Sequence, residues 1–225
     1  MHLSQEINDA GFALVPPVLT DVECERFAAE VTRNSSASGG TRGLLGNDWC
    51  RSLASQLRQN AFLKPLLHPS HVAVQCTYFE KSSSRNWLVP VHQDLSIPVA
   101  ERVEHSDLSG WSEKEGLLFV QAPVDILQQL LAVRVHLDGC AENDGPLRVV
   151  PGSHALGRVD AEAAVAARLS SPEFVCSAPR GSVMAMRPLL LHSSSKATGT
   201  SLRRVLHFLF GPKSLPLGLR WQDAV

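Results

Sequence analysis

His71-Val72-Ala73-Val74-Gln75-Cys76-Thr77-Tyr78-Phe79 is where the chain changes character. β-Branched and aromatic residues crowd together there with no Gly or Pro between them, the composition of a strand on a pleated, half-buried surface. Similar short runs follow at residues 88–94, 131–138, 147–150, 174–177, 182–194 and 203–210, divided by Gly, Pro and Ser. Short strands with turn signals between them favour a sandwich, barrel or jelly roll over a βαβ layout. One helix, at residues 161–169, is inserted among them. No internal repeat, G-x-G-x-x-G or G-x-x-x-x-G-K-[ST] is present, so dinucleotide and P-loop readings have no support.

Upstream the pattern is helical. Thr20-Asp21-Val22-Glu23 is a capping box, and Val22, Phe27, Ala28 and Val31 behind it fall near one helical face. That run stops in Asn34-Ser35-Ser36-Ala37-Ser38-Gly39-Gly40. A second helix starts near Asn47 or Asp48 with Trp49, Leu53 and Leu57 on one side, and Pro65 and Pro69 close the helical part. The expected architecture is mainly β with N-terminal helices. It forms one domain over residues 1–225, with a helical layer at 1–70, a β core at 71–212 and a tail at 213–225.

Composition limits the function. Of 225 residues, 44% are hydrophobic and 19% charged, which suits a packed globule. Lys+Arg 21 against Asp+Glu 22 leaves a formal charge of −1, without the basic excess that a nucleic-acid partner requires. No apolar run approaches the ~20 residues of a membrane helix, and the opening Met1-His2-Leu3-Ser4-Gln5-Glu6 does not read as a signal peptide. The five cysteines, Cys24, Cys50, Cys76, Cys140 and Cys176, form no C-x-x-C pair and read as buried reduced thiols. A cytoplasmic monomer or weak homodimer, binding a small-molecule substrate and neither nucleic acid nor membrane, is the expectation.

Histidine–carboxylate patterns carry the chemistry. Residues two apart on a strand face the same side, so an H-x-D can direct both ligands at one ion. A distant His completes the 2-His-1-carboxylate facial triad, which leaves positions open on Fe(II) for a co-substrate and O₂. Chance supplies fewer than one H-x-D in this composition, yet there are three: His92-Gln93-Asp94, His105-Ser106-Asp107 and His136-Leu137-Asp138. The second lies in a polar stretch and reads as a solvated loop. The third ends a strand with Val133, Val135 and Leu137 on one face and Ala132, Arg134, His136 and Asp138 on the other, so it is a metal pair or a polar strand face. The first follows Val89-Pro90-Val91, a strand with Leu95-Ser96-Ile97-Pro98 after it.

Taken in order, Val89-Pro90-Val91-His92-Gln93-Asp94, Asn143-Asp144-Gly145-Pro146-Leu147-Arg148-Val149-Val150-Pro151-Gly152-Ser153-His154, His192-Ser193-Ser194 and Arg203-Arg204 resemble the phytanoyl-CoA dioxygenase family. The resemblance covers roughly residues 72–210 and extends to the helical opening. It implies a double-stranded β-helix and an Fe(II)- and 2-oxoglutarate-dependent oxygenase. It makes His92, Asp94 and His192 the metal ligands and leaves His154 structural. It selects Arg203, eleven positions after His192, for the far carboxylate of 2-oxoglutarate, with Ser194 as a further donor. Strand alternation alone leaves Arg203 and Arg204 open as alternatives. The implied reaction converts 2-oxoglutarate and O₂ to succinate and CO₂ while hydroxylating an aliphatic C–H; the same centre can also desaturate or cyclise. Asp94 retains the acidic ligand that halogenating relatives lack.

Further candidates are Lys81 and Asn86 near the co-substrate or the mouth of the site, or in a solvated loop, and Arg134 for a substrate anion or a structural ion pair. Trp111 and Phe119, in the long connection 95–130, are lid or packing aromatics, and Asn143-Asp144-Gly145-Pro146 makes a turn in which Gly supplies the backbone angle. The competing reading, on the fold alone, is a jelly-roll protein that binds a small ligand without turnover.

Overall fold

Arg203–Pro212 alternates inward and outward side chains along the longest pairing in the molecule and is its spine. The computed structural model describes residues 3–34 and 40–225. The serine-rich run expected to end the first long helix falls mostly on residues 35–39, outside the described residues. The N-terminal layer holds α1 (Leu3–Asp9), β1 (Phe12–Val15), α2 (Asp21–Asn34), β2 (Gly40–Thr41) and α3 (Asp48–Gln59). The chain continues through β3 (His71–Lys81), β4 (Val89–His92), β5 (Ser96–Val99), β6 (Ser109–Lys114), β7 (Leu117–Gln121), α4 (Val124–Leu127) and β8 (Leu131–His136). It closes with β9 (Leu147–Val149), α5 (Ala161–Ser170), β10 (Phe174–Val175), β11 (Val183–Met186), β12 (His192–Ser194) and β13 (Arg203–Pro212).

The major sheet runs β1-β11-β8-β13-β3-β2 and the minor sheet β10-β9-β12-β4, every pairing antiparallel. Leaving aside the edge strands β1 and β2, four strands face four, and the core is a double-stranded β-helix. The chain changes sheet inside the stretch read as one strand at 182–194. Pro188 lies between β11 and β12, and without an N–H it cannot continue the ladder, so the segment turns over at residues 187–191.

Two apolar clusters sandwich the major sheet. On its outer face, Val133, Val135, Leu206, Phe208 and Phe210 meet the helical layer. The capping box forms as expected, with Thr20 N–H donating to Glu23 Oε2 at 2.8 Å and Glu23 N–H to Thr20 Oγ1 at 3.3 Å. The buried stripe of α2 is Cys24, Phe27, Ala28 and Val31, a clean i, i+3, i+4, i+7 set. Val22 is 76% exposed and does not join it, because it stands two residues before that stripe on the solvent side. On α3 the buried stripe is Cys50, Leu53, Ala54 and Leu57, with Trp49 at its margin. On the inner face, Ala132, Met184 and Leu209 meet Ile97, Val120 and Leu130.

The connection 95–130 carries a three-stranded sheet, β5-β7-β6, where the sequence reads only as a long connection with lid or packing aromatics. β1 also falls where only helix was read; Phe12-Ala13-Leu14-Val15 pairs with β11 before Pro16-Pro17 ends it. The tail folds back, Val225 and Ala73 exchanging two backbone hydrogen bonds. All five cysteines are buried and free. No described helix is long and apolar enough to cross a membrane.

Candidate active site

Sheet register brings the two remote histidines together. His92 ends β4 and His192 begins β12, and the two are cross-strand partners with ring centroids 4.2 Å apart. Asp94 lies two residues beyond β4, its N–H donating to Pro188 O at 2.9 Å. Its carboxylate oxygens stand 3.7 Å from Nε2 of His92 and 3.7 Å from Nε2 of His192. Donor atoms of all three lie within 4.8 Å of one another, the one such cluster of His, Cys, Asp and Glu among the described residues.

Hydrogen bonds fix which nitrogen each ring offers. Nδ1 of His92 lies 2.9 Å from Pro90 O, and Nδ1 of His192 lies 2.9 Å from Leu190 O. A carbonyl only accepts, so each Nδ1 carries the proton and each Nε2 lone pair faces the centre. Burial pulls His192 down to about 4, which keeps it neutral. Burial of Asp94 opposes its charge, but the neighbouring imidazoles outweigh burial and hold the carboxyl well below the usual range. Burial opposes charge on His92, but Asp94 beside it outweighs burial and raises that ring, so His92 gives up its Nε2 proton on taking up an ion. The two imidazoles and the ionised carboxylate, converging from one side, are then a donor set that fits a single divalent cation.

Gln93 shows how the motif is held. Its Nε2 donates to Gly157 O and Leu189 O, both at 2.7 Å, and its Oε1 accepts from Val159 N–H at 3.0 Å. The residue between His92 and Asp94 therefore ties them to the segment leading into His192. Strand alternation turns Gln93 away from the face that His92 and Asp94 share, and no local pattern reveals partners 64 to 96 positions distant. Gln93→Leu keeps the bulk but leaves three backbone groups unsatisfied. It is expected to cost about 2 kcal/mol or more in denaturant unfolding and to weaken metal binding by roughly 10–100-fold in a chelator competition.

A cavity of about 330 Å³ opens beside the cluster, walled by Phe79, Trp87, Ile97, Phe119, Leu130 and Leu209. Ser194, Arg134, Arg203 and His207 also line it. Arg203 is buried, with Nη1 donating to Gly145 O at 2.5 Å and Nε unpartnered. Ser194 Oγ donates to the same carbonyl at 2.9 Å and accepts from Lys81 Nζ at 2.6 Å. Gly145 sits at φ 64° as its turn requires, and a Cβ there would meet Ser195 O at 2.6 Å. Lys81, fully buried, also donates to Ser195 O, and burial takes its amine down to about 8. Asn86 exchanges hydrogen bonds of 2.8 and 2.7 Å with Ala197. Lys81 and Asn86 thus pin the strand and loop after His192 and are not among the cavity-lining residues.

The remaining candidates separate cleanly. Arg204 points to the other face, where its Nε and Nη2 meet the Asp138 carboxylate in a fork, each at 2.8 Å. Asp138 therefore does not share the inward face of Arg134 and His136 as expected. β8 stops at His136, the alternation lapses, and the carboxylate turns to Arg204. His105 and Asp107 lie 3.9 Å apart on an exposed turn. Phe119 lines the cavity, whereas Trp111 lies on β6 outside the lining, with the Arg102 guanidinium 5.3 Å above its ring.

His207 is the residue that sequence reading passed over, although alternation from Arg203 already placed it inward. Arg134 Nη1 donates to its Nδ1 at 2.9 Å, so Nε2 carries the proton and stands 4.0 Å from Asp94 Oδ2. Its tautomer is opposite to that of His92 and His192.

The model of the family described as phytanoyl-CoA dioxygenase matches residues 7–205. The chain belongs to that family. No curated protein matches it. Among solved structures, it is similar to the epimerase SnoN in complex with Fe3+, alpha ketoglutarate and nogalamycin RO (19% identity, TM-score 0.72, 96% of this chain and 86% of that one). It is similar also to the non-heme alpha ketoglutarate dependent carbocyclase SnoK from nogalamycin biosynthesis (17% identity, TM-score 0.68, 99% and 92%). HygX from Streptomyces hygroscopicus, with nickel and 2-oxoglutarate bound, aligns at 16% identity and a TM-score of 0.66 over 99% of this chain and 96% of its own. The family's double-stranded β-helix is the fold that these likenesses share with it.

Proposed function

We propose that this family member is a non-haem Fe(II)/2-oxoglutarate-dependent dioxygenase that hydroxylates an aliphatic C–H of a small molecule. The observation that carries the proposal is the convergence of His92, Asp94 and His192 with both Nε2 atoms committed inward. These three side chains would hold the ion. A ferrous ion bound there supplies activation of O₂, coupled to oxidative decarboxylation of 2-oxoglutarate. Overall, R–H, 2-oxoglutarate and O₂ give R–OH, succinate and CO₂.

The chain's own residues supply the rest. Arg203, which lines the cavity, would give the far carboxylate of 2-oxoglutarate the counter-ion that a carboxylate removed from water needs. Ser194, held by Lys81, stands beside it. Phe79, Trp87 and Phe119 exclude water from the reacting atoms. His207 Nε2–H stands 4.0 Å from Asp94 Oδ2, the oxygen that also faces His192, and its dipole favours the carboxylate's charge. Five buried, unpaired thiols suit a reducing compartment, and we assign the enzyme to the cytoplasm as one domain.

Anaerobic protein given Fe(II) and then 2-oxoglutarate is expected to develop a weak visible charge-transfer band. Succinate release on admitting air should rise when a true substrate is added. Wild-type protein that binds the ion and shows no band with 2-oxoglutarate would instead match a ligand-binding jelly roll without turnover.

A further inference from the structure

The walls of the cavity are lopsided in charge. Arg42, Lys114, Arg134 and Arg203 line it, and Asp94 is the one acid among its lining residues. Arg42 leans on Glu115 at 3.9 Å, and Lys114 is exposed. Arg134 and Arg203 are the deep pair, 7% and 5% exposed. Neither makes an ion pair with a carboxylate among the described residues.

Arg134 is satisfied no better than Arg203, whose Nε is likewise buried without a partner. The one side-chain hydrogen bond of Arg134 among the described residues goes to the neutral ring of His207, its Nε is buried without a partner, and the Phe79 ring lies 5.7 Å from the guanidinium carbon. A guanidinium left this way in a buried cavity is costly unless a ligand supplies the missing acceptor. Burial and the nearby Arg203 lower it only to about 10, so it stays charged at neutral pH.

The count of charges assigns the ligand, and it rests on the functional reading above. A divalent ion with Asp94, together with Arg134 and Arg203, exceeds the two negative charges of 2-oxoglutarate by one. Arg203 and Ser194 converge on Gly145 O at one end, where the co-substrate's tail belongs. Arg134 sits beside His207, at the end nearer Asp94.

We propose that Arg134 is the recognition site for a carboxylate of the organic substrate, so that the enzyme acts on small organic acids with an apolar body. The planar fork matches a carboxylate with parallel N–H donors. Trp87, Ile97 and Phe119 provide the apolar surroundings. A cavity of about 330 Å³ that also admits 2-oxoglutarate leaves room for a compact molecule.

Calorimetry on the full chain loaded with Mn(II) and N-oxalylglycine, an inert stand-in for 2-oxoglutarate, tests this without turnover. Acetate and benzoate are compared with acetamide and benzamide. At least one acid should bind about tenfold or more tighter than its amide. That preference should vanish in R134Q and survive in part in R134K, while R134Q still binds N-oxalylglycine within about threefold of wild type. Three outcomes overturn the inference alone: no acid preferred by wild type, a preference unchanged in R134Q, or R134Q losing N-oxalylglycine as R203Q does. Wild-type protein that binds Mn(II) but no N-oxalylglycine overturns the functional reading and, with it, the charge count.

Discussion

His192→Ala is expected to weaken ferrous binding by more than about 100-fold, beyond the loss usual for a residue that merely supports a ligand. Asp94→Ala should do the same, and His136→Ala should leave the affinity within about twofold. Competition with a chromophoric chelator under anaerobic conditions reads all three. The ordering follows from where the lone pairs point. His192 offers Nε2 because Nδ1 keeps its proton and donates it in a hydrogen bond to Leu190 O, and Asp94 is 3.7 Å from Nε2. His136 is buried, pulled down to about 3 by burial and by Arg134, and its sequence partner Asp138 is already engaged by Arg204. His192→Ala protein that still holds one ion per chain at wild-type affinity would remove the basis of the proposed centre.

The contrast between the two H-x-D pairs shows what the residues alone disclosed. The strand pattern made residues 131–138 as good a platform as residues 88–94, and no local signal chooses between two histidines on polar strand faces. The choice depends on which strand lies beside His192. That is a matter of sheet order, set by β12 crossing from the neighbourhood of β11 to pair with β4 and β9. Core strands were legible because each carries its own alternation. The sheet in the 95–130 connection was not, because the burial pattern of Ser109–Lys114 is mostly exposed and its sequence reads as a loop. The cationic cavity was equally hidden, for Arg42, Lys114, Arg134 and Arg203 come from four separate segments and form no run. Gln93 and Lys81 were noticed, yet their work lies in bonds to Leu189 O and Ser194 Oγ, which only the folded chain brings within reach.

Arg203→Gln is expected to raise the dissociation constant for 2-oxoglutarate by about 10–100-fold, read by titrating the anaerobic Fe(II) protein, with the ion itself still bound. Arg204→Gln should leave that constant unchanged and cost about 1 kcal/mol in unfolding, the range for a partly exposed fork. These neighbours differ because β13 alternates. Arg203 is 5% exposed, lines the cavity, and shares Gly145 O with Ser194, whereas Arg204 faces the helical side and is spent on Asp138. Gln at 203 can still bond Gly145 O, but it brings no charge and no fork, so the buried far carboxylate of the co-substrate loses its counter-ion. A slip of one residue in the register of β13 reverses the two outcomes. An Arg204→Gln protein that loses 2-oxoglutarate while Arg203→Gln keeps it would therefore refute the pairing of β13 with β3 and β8 as well as the role of Arg203.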